Sequence, residues 1–395
     1  VLSQATCKDE STVKVCVLHP SGFTVWNEYP CDSEESTCID GGLCAFEGAF
    51  TLWDESAIGA PSALARADGS FAAVWASPSF SSFQITARRF SSNGSPLESA
   101  FEVAPPVVTN LPYPDIAEFV NSVGETSMIA AWFNADNSSL QIRWLGEPGE
   151  EHGPIITLDT TAVSSTPQPT LHVGDNSLRL LYATAAPNNQ GLEAVMLPPI
   201  AEQTLESIGS SGGEVLGISA VTGSDIIAFG GTGAGVSALS SGLVFGNIDP
   251  PASHPAAAVS SSGDLLLVWV TDLDQNIANG NDALVIQRYT SALTPIGEPD
   301  IVVLGQKIVG PQVVATADKY FVVWQGGALD SSVVFGQVLD SSGSTIGLPV
   351  QLDADGNGPQ ASPRVDLMQD GRVLSVWRDE IGLGARIKAR LIDIW

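Results

Sequence analysis

Asp68-Gly-Ser-Phe-Ala-Ala-Val-Trp75 is a tight polar turn that runs into an apolar strand ending in an aromatic residue. The same plan recurs at Gly124–Trp132, Gly174–Tyr182, Gly223–Phe229, Gly263–Trp269, Asp318–Trp324 and Asp370–Trp377. The seven terminal aromatics are spaced by 57, 50, 47, 40, 55 and 53 residues. Each instance lies in a longer unit. A short strand precedes the turn, often opening on proline, as at Pro61, Pro114, Pro169, Pro255, Pro311 and Pro363. A third strand follows the aromatic, as at Gln84–Phe90 or Val333–Leu339, and then a turn and a fourth strand. Four antiparallel strands in every fifty or so residues predict an all-β, seven-bladed β-propeller with four-stranded blades. No stretch carries sustained helical periodicity.

The last unit ends after its third strand, at Ala385–Trp395. An unpaired edge there would be exposed. Gly48–Asp54, just before the first unit, is the strand expected to complete it. The fourth unit, about 213–249, lacks the proline and is glycine-rich, so a six-bladed ring with an insertion is the alternative count.

The units resemble the DG-x-F-x-V-x-W repeats of secreted bacterial propeller proteins. Asp68–Trp75 with Ile85–Phe90 and Asn93-Gly94 carries the resemblance best, followed by Asp318–Trp324 with Val334–Gln337 and Asp340–Gly343. The likeness spans about 48–395. It implies an extracellular propeller and no particular activity, because propellers host unrelated functions. The repeat aromatics read as packing residues between blades.

The 395 residues carry 16 Lys+Arg against 44 Asp+Glu, a formal charge of −28. Only 15% are charged, so the acidity reflects missing bases. Clustered cations for nucleic acid or an anionic membrane are lacking. No apolar run is long enough to span a bilayer as a helix. No export signal opens the sequence, so a secreted, periplasmic or cell-surface protein would here be a mature or trimmed chain.

All five cysteines, Cys7, Cys16, Cys31, Cys38 and Cys44, fall in a segment set apart as 1–46, ahead of the propeller at 47–395. Their clustering points to disulfides in an oxidising compartment rather than to zinc, since no C-x₂-C spacing occurs. Cys7 with Cys16, and two of the other three, are the candidate bridges. The odd thiol leaves a partner upstream, a free thiol or an intermolecular bridge, and oligomers through this segment follow from the last.

In a propeller, the loops between second and third strands and the connections between blades emerge on one face. Here these are the longer loops, where binding sites usually lie. They gather Asp272, Asp330, Asp379 and Glu380, the candidate carboxylates for acid–base work, together with Arg378. Phe80 and Phe83 in a serine-rich loop are candidates for stacking on a sugar or a protein. Asp272-Leu-Asp274-Gln-Asn276 and Asp353-Ala-Asp355-Gly-Asn357 place oxygen ligands at alternate positions and are the candidate calcium sites. Gly209-Ser-Ser211-Gly-Gly213 matches G-x-S-x-G but lacks the strand and helix of a nucleophile elbow. Of the four histidines, His254 sits on the candidate face, and His172 is placed to face the central channel. The leading expectation is an extracellular binding or adhesion module for a polysaccharide or a protein, not an enzyme. A carbohydrate-active hydrolase or lyase using paired carboxylates is the alternative, and a structural subunit of a surface assembly is the third reading.

Overall fold

The structure, a computed structural model, describes residues 4–9, 12–18, 24–30, 36–39, 43–79, 82–108, 113–120, 125–134, 138–158, 169–174, 177–183, 191–197, 205–210, 215–220, 227–231, 235–240, 243–244, 252–272, 282–305, 307–328, 331–353, 358–381 and 384–394. Among these there is no α-helix, and none therefore long enough to cross a membrane. The strands form seven antiparallel sheets built on one plan, plus a three-stranded sheet of Gln4–Asp9, Thr12–Leu18 and Thr24–Pro30.

Sheet one runs in order through Ile58–Ala65, Phe71–Ser79, Ser82–Phe90 and Phe101–Val108. The first strands of sheets two to seven are Asp115–Val120, Thr170–Gly174, Val215–Ala220, Ala252–Val259, Val309–Ala315 and Gln360–Leu367. Sheet seven continues through Val373–Ile381 and Gly384–Asp393, and then takes Leu43–Trp53 as its fourth strand and Ser36–Ile39 as a fifth. Ala389 pairs with Phe50, and Ile387 with Trp53. Each first strand contacts the first strand of the next sheet, and Gln360–Leu367 contacts Ile58–Ala65.

The repeat aromatics are where alternation and burial meet. Trp75, Trp132, Trp269, Trp324, Trp377 and Tyr182 are all at most 2% exposed. Trp269 packs among Leu267 and Val285 of its own sheet, and the others pack against the preceding sheet. Trp132 lies with Val74, Ile85 and Val103 of sheet one. Trp324 lies with Val268 and Leu284 of sheet five, and Trp377 with Val338 and Leu352 of sheet six. Trp75 of sheet one meets Val376, Ile387 and Leu391 of sheet seven in the same way. Burying ring systems of this size is the largest apolar contribution available to each seam.

The recurrent prolines also acquire a cause. Proline cannot donate to a ladder, so it sits where the ladder breaks. The pairing of the first strand to the second shifts between Ser253 and Ala256, between Val309 and Gln312, and between Ala361 and Arg364. Each shift holds a left-handed residue followed by proline: His254 (φ 51°), Gly310 (φ 56°) and Ser362 (φ 54°). His254, Gly310 and Ser362, the residues at these bulges, line one cavity between the first strands.

Candidate functional site

Of the acidic residues expected on the long-loop face, Asp379 lies on the second strand of sheet seven, opposite Gln360 and only 1% exposed. Lys388 Nζ lies 4.0 Å from its Oδ2 and also forms a close ion pair with the buried Asp353. Burial raises the Asp379 pKa, and Asp353 adds to the rise while Lys388 opposes it. Arg378 pairs closely with Glu380 two residues along its own strand. Asp272 ends a strand opposite Asp282, and half-buried Phe83 lies opposite Pro78. Phe80, Asp330, Asp274, Asn276, Asp355 and Asn357 lie outside the described residues. His172 is buried in the first strand of sheet three, 1% exposed. Among the described residues no group of three or more His, Cys, Asp or Glu is gathered for a metal.

The polar side chains that do converge belong to the first strands. Asp115 Oδ1 accepts from Ser62 Oγ at 2.6 Å, and its Oδ2 accepts from Leu171 N at 2.7 Å, which ties sheets one, two and three. Asp366 Oδ2 accepts from Ala65 N at 2.7 Å, across the seam of sheets seven and one. Glu118 accepts from Arg66 Nε at 2.9 Å and Ala67 N at 2.9 Å. A strand whose side chains point at an axis has no apolar partner to face, so polar residues there bond sideways to the neighbouring strand.

Two cavities lie among the first strands. One, of about 160 Å³, is lined by Ser62, Asp115, Glu118, Arg364 and Asp366, mostly toward the tight-turn ends of the strands. The other, of about 210 Å³, is lined by His254, Gln312, Gln325, Ser362 and Arg364, toward the long-loop ends. Thr170, Ile218, Gln312 and Arg364 line both. Burial pushes the Asp366 carboxyl up to about 6, with a further rise from nearby Asp115 and with the Ala65 and Leu367 amides opposing it. Burial also raises Asp115, against its hydrogen bonds and the charge of Arg364. Burial lowers His254. Two neighbouring carboxyls, one of them kept partly protonated near neutral pH, are what acid–base catalysis requires.

Sequence reasoning passed over Asp115, Arg364 and Asp366, treating them as the openings of proline-led strands. Their signal was polarity itself. Pro114-Asp-Ile-Ala-Glu118 and Pro363-Arg-Val-Asp366 put charges on strands that a simple sheet core would keep apolar.

No protein-family model matches the chain, and no curated protein matches it. Solved structures do match in fold. The α-L-arabinanase of Penicillium chrysogenum complexed with arabinobiose shares 11% identity over 88% of this chain and 98% of its own, with a TM-score of 0.53. The polysaccharide lyase Uly1 shares 12% over 82% and 88%, with a TM-score of 0.52. A fungal alcohol oxidase of the AA5 family in complex with copper shares 10% over 87% and 76%, with a TM-score of 0.55. These likenesses establish a β-propeller-like, all-β fold. The expectation of a non-enzymatic binding or adhesion module is corrected to this extent: the arabinanase, the lyase and the alcohol oxidase are enzymes, and the first two act on carbohydrates.

Proposed function

We propose that the seven sheets are the blades of a closed propeller, completed by Leu43–Trp53, and that the chain is an extracellular carbohydrate-active enzyme, a hydrolase or a lyase acting on a polysaccharide. The observation that carries this reading is the pairing of Asp115 and Asp366 on one cavity, where burial raises both carboxyls and pushes Asp366 up to about 6. Asp366 serves as the proton donor, and Asp115 as the carboxylate that accepts a proton. Fold likeness to carbohydrate-active enzymes supports the reading only as analogy.

The test is product analysis by anion-exchange chromatography on a panel of polysaccharides that includes arabinan. A positively identified substrate should lose about 10²-fold or more in turnover with Asp366→Asn and with Asp115→Asn, the usual size of a lost general acid or base. Wild-type turnover in both variants, with folding intact, would refute the assignment.

A further inference from the structure

The two cavities differ in charge. The one at the tight-turn end carries Asp115, Glu118 and Asp366 beside Arg364. The one at the long-loop end has no carboxylate among its described lining residues and presents an imidazole, two carboxamides, two hydroxyls and the same guanidinium. We propose that this long-loop cavity is a subsite for one uncharged sugar ring, which makes the enzyme a hydrolase of neutral polysaccharides and not a lyase of uronate-bearing ones. The inference rests on the carbohydrate-active reading above and narrows it.

Three observations lead there. First, a space of about 210 Å³ has room for a single sugar ring. Second, Gln312, Gln325 and Ser362 carry both donors and acceptors, and His254, whose Nδ1 lies 3.0 Å from Ser253 Oγ, adds its Nε2, the mixed pattern that ring hydroxyls need. Third, cleavage by elimination removes a proton from the carbon beside a ring carboxylate, and that carboxylate must be neutralised by cations. Among the described lining residues of both cavities the one cationic side chain is Arg364, whose charge already acts on Asp115. A uronate would therefore meet Asp115 and Asp366 with little to offset them, in a chain of net charge −28.

His254 (φ 51°) lies at the bulge that sheets six and seven repeat with Gly310 and Ser362, and all three residues line this cavity. A side chain is strained in that conformation and glycine is not. Burial lowers the His254 pKa, so the ring is neutral at pH 7, and with Nδ1 bonded to Ser253 Oγ its Nε2 is left for one hydrogen bond to a ligand.

The resulting hydrolysis balances. The glycosidic C–O bond breaks as Asp366 gives its proton to the departing oxygen. Water oxygen bonds to the anomeric carbon, and the water's proton passes to Asp115. Exchange with solvent restores both groups.

Calorimetric titration of the Asp366→Asn protein, in which turnover is blocked, separates binding from chemistry. The ligands are neutral arabino-, xylo-, manno- and galacto-tetrasaccharides and a tetragalacturonate. The expected result is saturable binding of at least one neutral ligand, with tetragalacturonate weaker by about tenfold or more. Adding His254→Gly should weaken the neutral ligand by about tenfold without lowering the melting temperature, since glycine takes the left-handed turn freely. Gln312→Ala, outside the strained bulge, should weaken it as well. Preferred binding of the uronate, indifference of neutral binding to both substitutions, or no binding of any ligand would overturn the proposal. If Asp115 and Asp366 prove dispensable for turnover while these titrations succeed, the carboxylate assignment fails and the subsite stands. If turnover depends on them but the products from a uronan carry a ring double bond, seen by ultraviolet absorbance, the subsite fails and the carboxylate assignment stands.

Discussion

The backbone amide of Ala65 donates to Oδ2 of Asp366 at 2.7 Å, joining residues 301 positions apart, while the Leu367 amide holds Oδ1 at 2.8 Å. Two donors ordinarily keep a carboxyl acidic. Here burial wins, and the group is pushed up to about 6 from 3.8. The folded chain therefore binds more protons than the unfolded one between those values. Stability from this group is fully present below about pH 4 and is lost as pH rises through about 6.

Asp366→Asn fixes the side chain in an uncharged form and leaves an oxygen for the Ala65 amide. Relative to the native protein, the variant should gain stability on going from about pH 4 to about pH 7, by up to about 3 kcal/mol. Urea unfolding at the two pH values reads the difference directly. An unchanged difference would mean that Asp366 titrates normally in the folded chain.

Trp75 is fully buried, and its ring centroid lies 5.3 Å from that of Trp53 in the strand that completes sheet seven. Trp75→Ala should cost about 3–5 kcal/mol. Trp132→Ala, at the seam of sheets one and two, should cost a similar amount, because the same contact is repeated there. A much smaller loss for Trp75, measured by the same urea titration, would show that the seam of sheets seven and one packs loosely in solution.

Gly94 has φ 87°, and a Cβ added there would lie 2.6 Å from Cε2 of Phe50. Gly94→Ala should destabilise the protein by more than about 1 kcal/mol, from left-handed strain and the clash together. Phe50→Ala should relieve the steric part, so the double variant is less unstable than the sum of the two. Strict additivity in a thermal-melt cycle would argue that the turn and the closing strand do not touch.

Cys38 and Cys44 stand directly opposite one another in the pairing of Ser36–Ile39 with Leu43–Trp53, whereas Cys7 faces Val13 and Cys16 faces Gln4. Of the bridges expected from spacing, the backbone register favours Cys38 with Cys44. Peptide mapping of the unreduced protein should recover that pair. Recovery of Cys44 joined to another cysteine would contradict the register. Cys31 lies outside the described residues.

The strand plan was legible because the structure repeats it. A turn, an apolar run and an aromatic at Asp68–Trp75 recur wherever a sheet's second strand packs on its neighbour. The candidate site was not legible for the opposite reason. Asp115 and Asp366 lie on different sheets, 251 residues apart by subtraction, and only the arrangement of first strands puts them on one cavity. Loop length drew attention to Asp379, yet the second strand carries it into the protein beside Lys388, away from solvent. The prolines at Pro255, Pro311 and Pro363 were visible as punctuation, but the left-handed residues before them were not, since His, Gly and Ser share no propensity for that turn.

Leu43–Trp53 hydrogen-bonds to Gly384–Asp393. On the ribosome the earlier strand must wait for the later one. At about 5–20 residues per second, the intervening stretch of some 330 residues takes on the order of 20–70 s to emerge. For that time an eleven-residue apolar strand has a free edge, the form of chain most prone to pair with the wrong neighbour. Leu43–Trp53 must therefore stay unpaired on this side until Gly384–Asp393 has emerged, and a chaperone that shields it should raise the yield of folded protein.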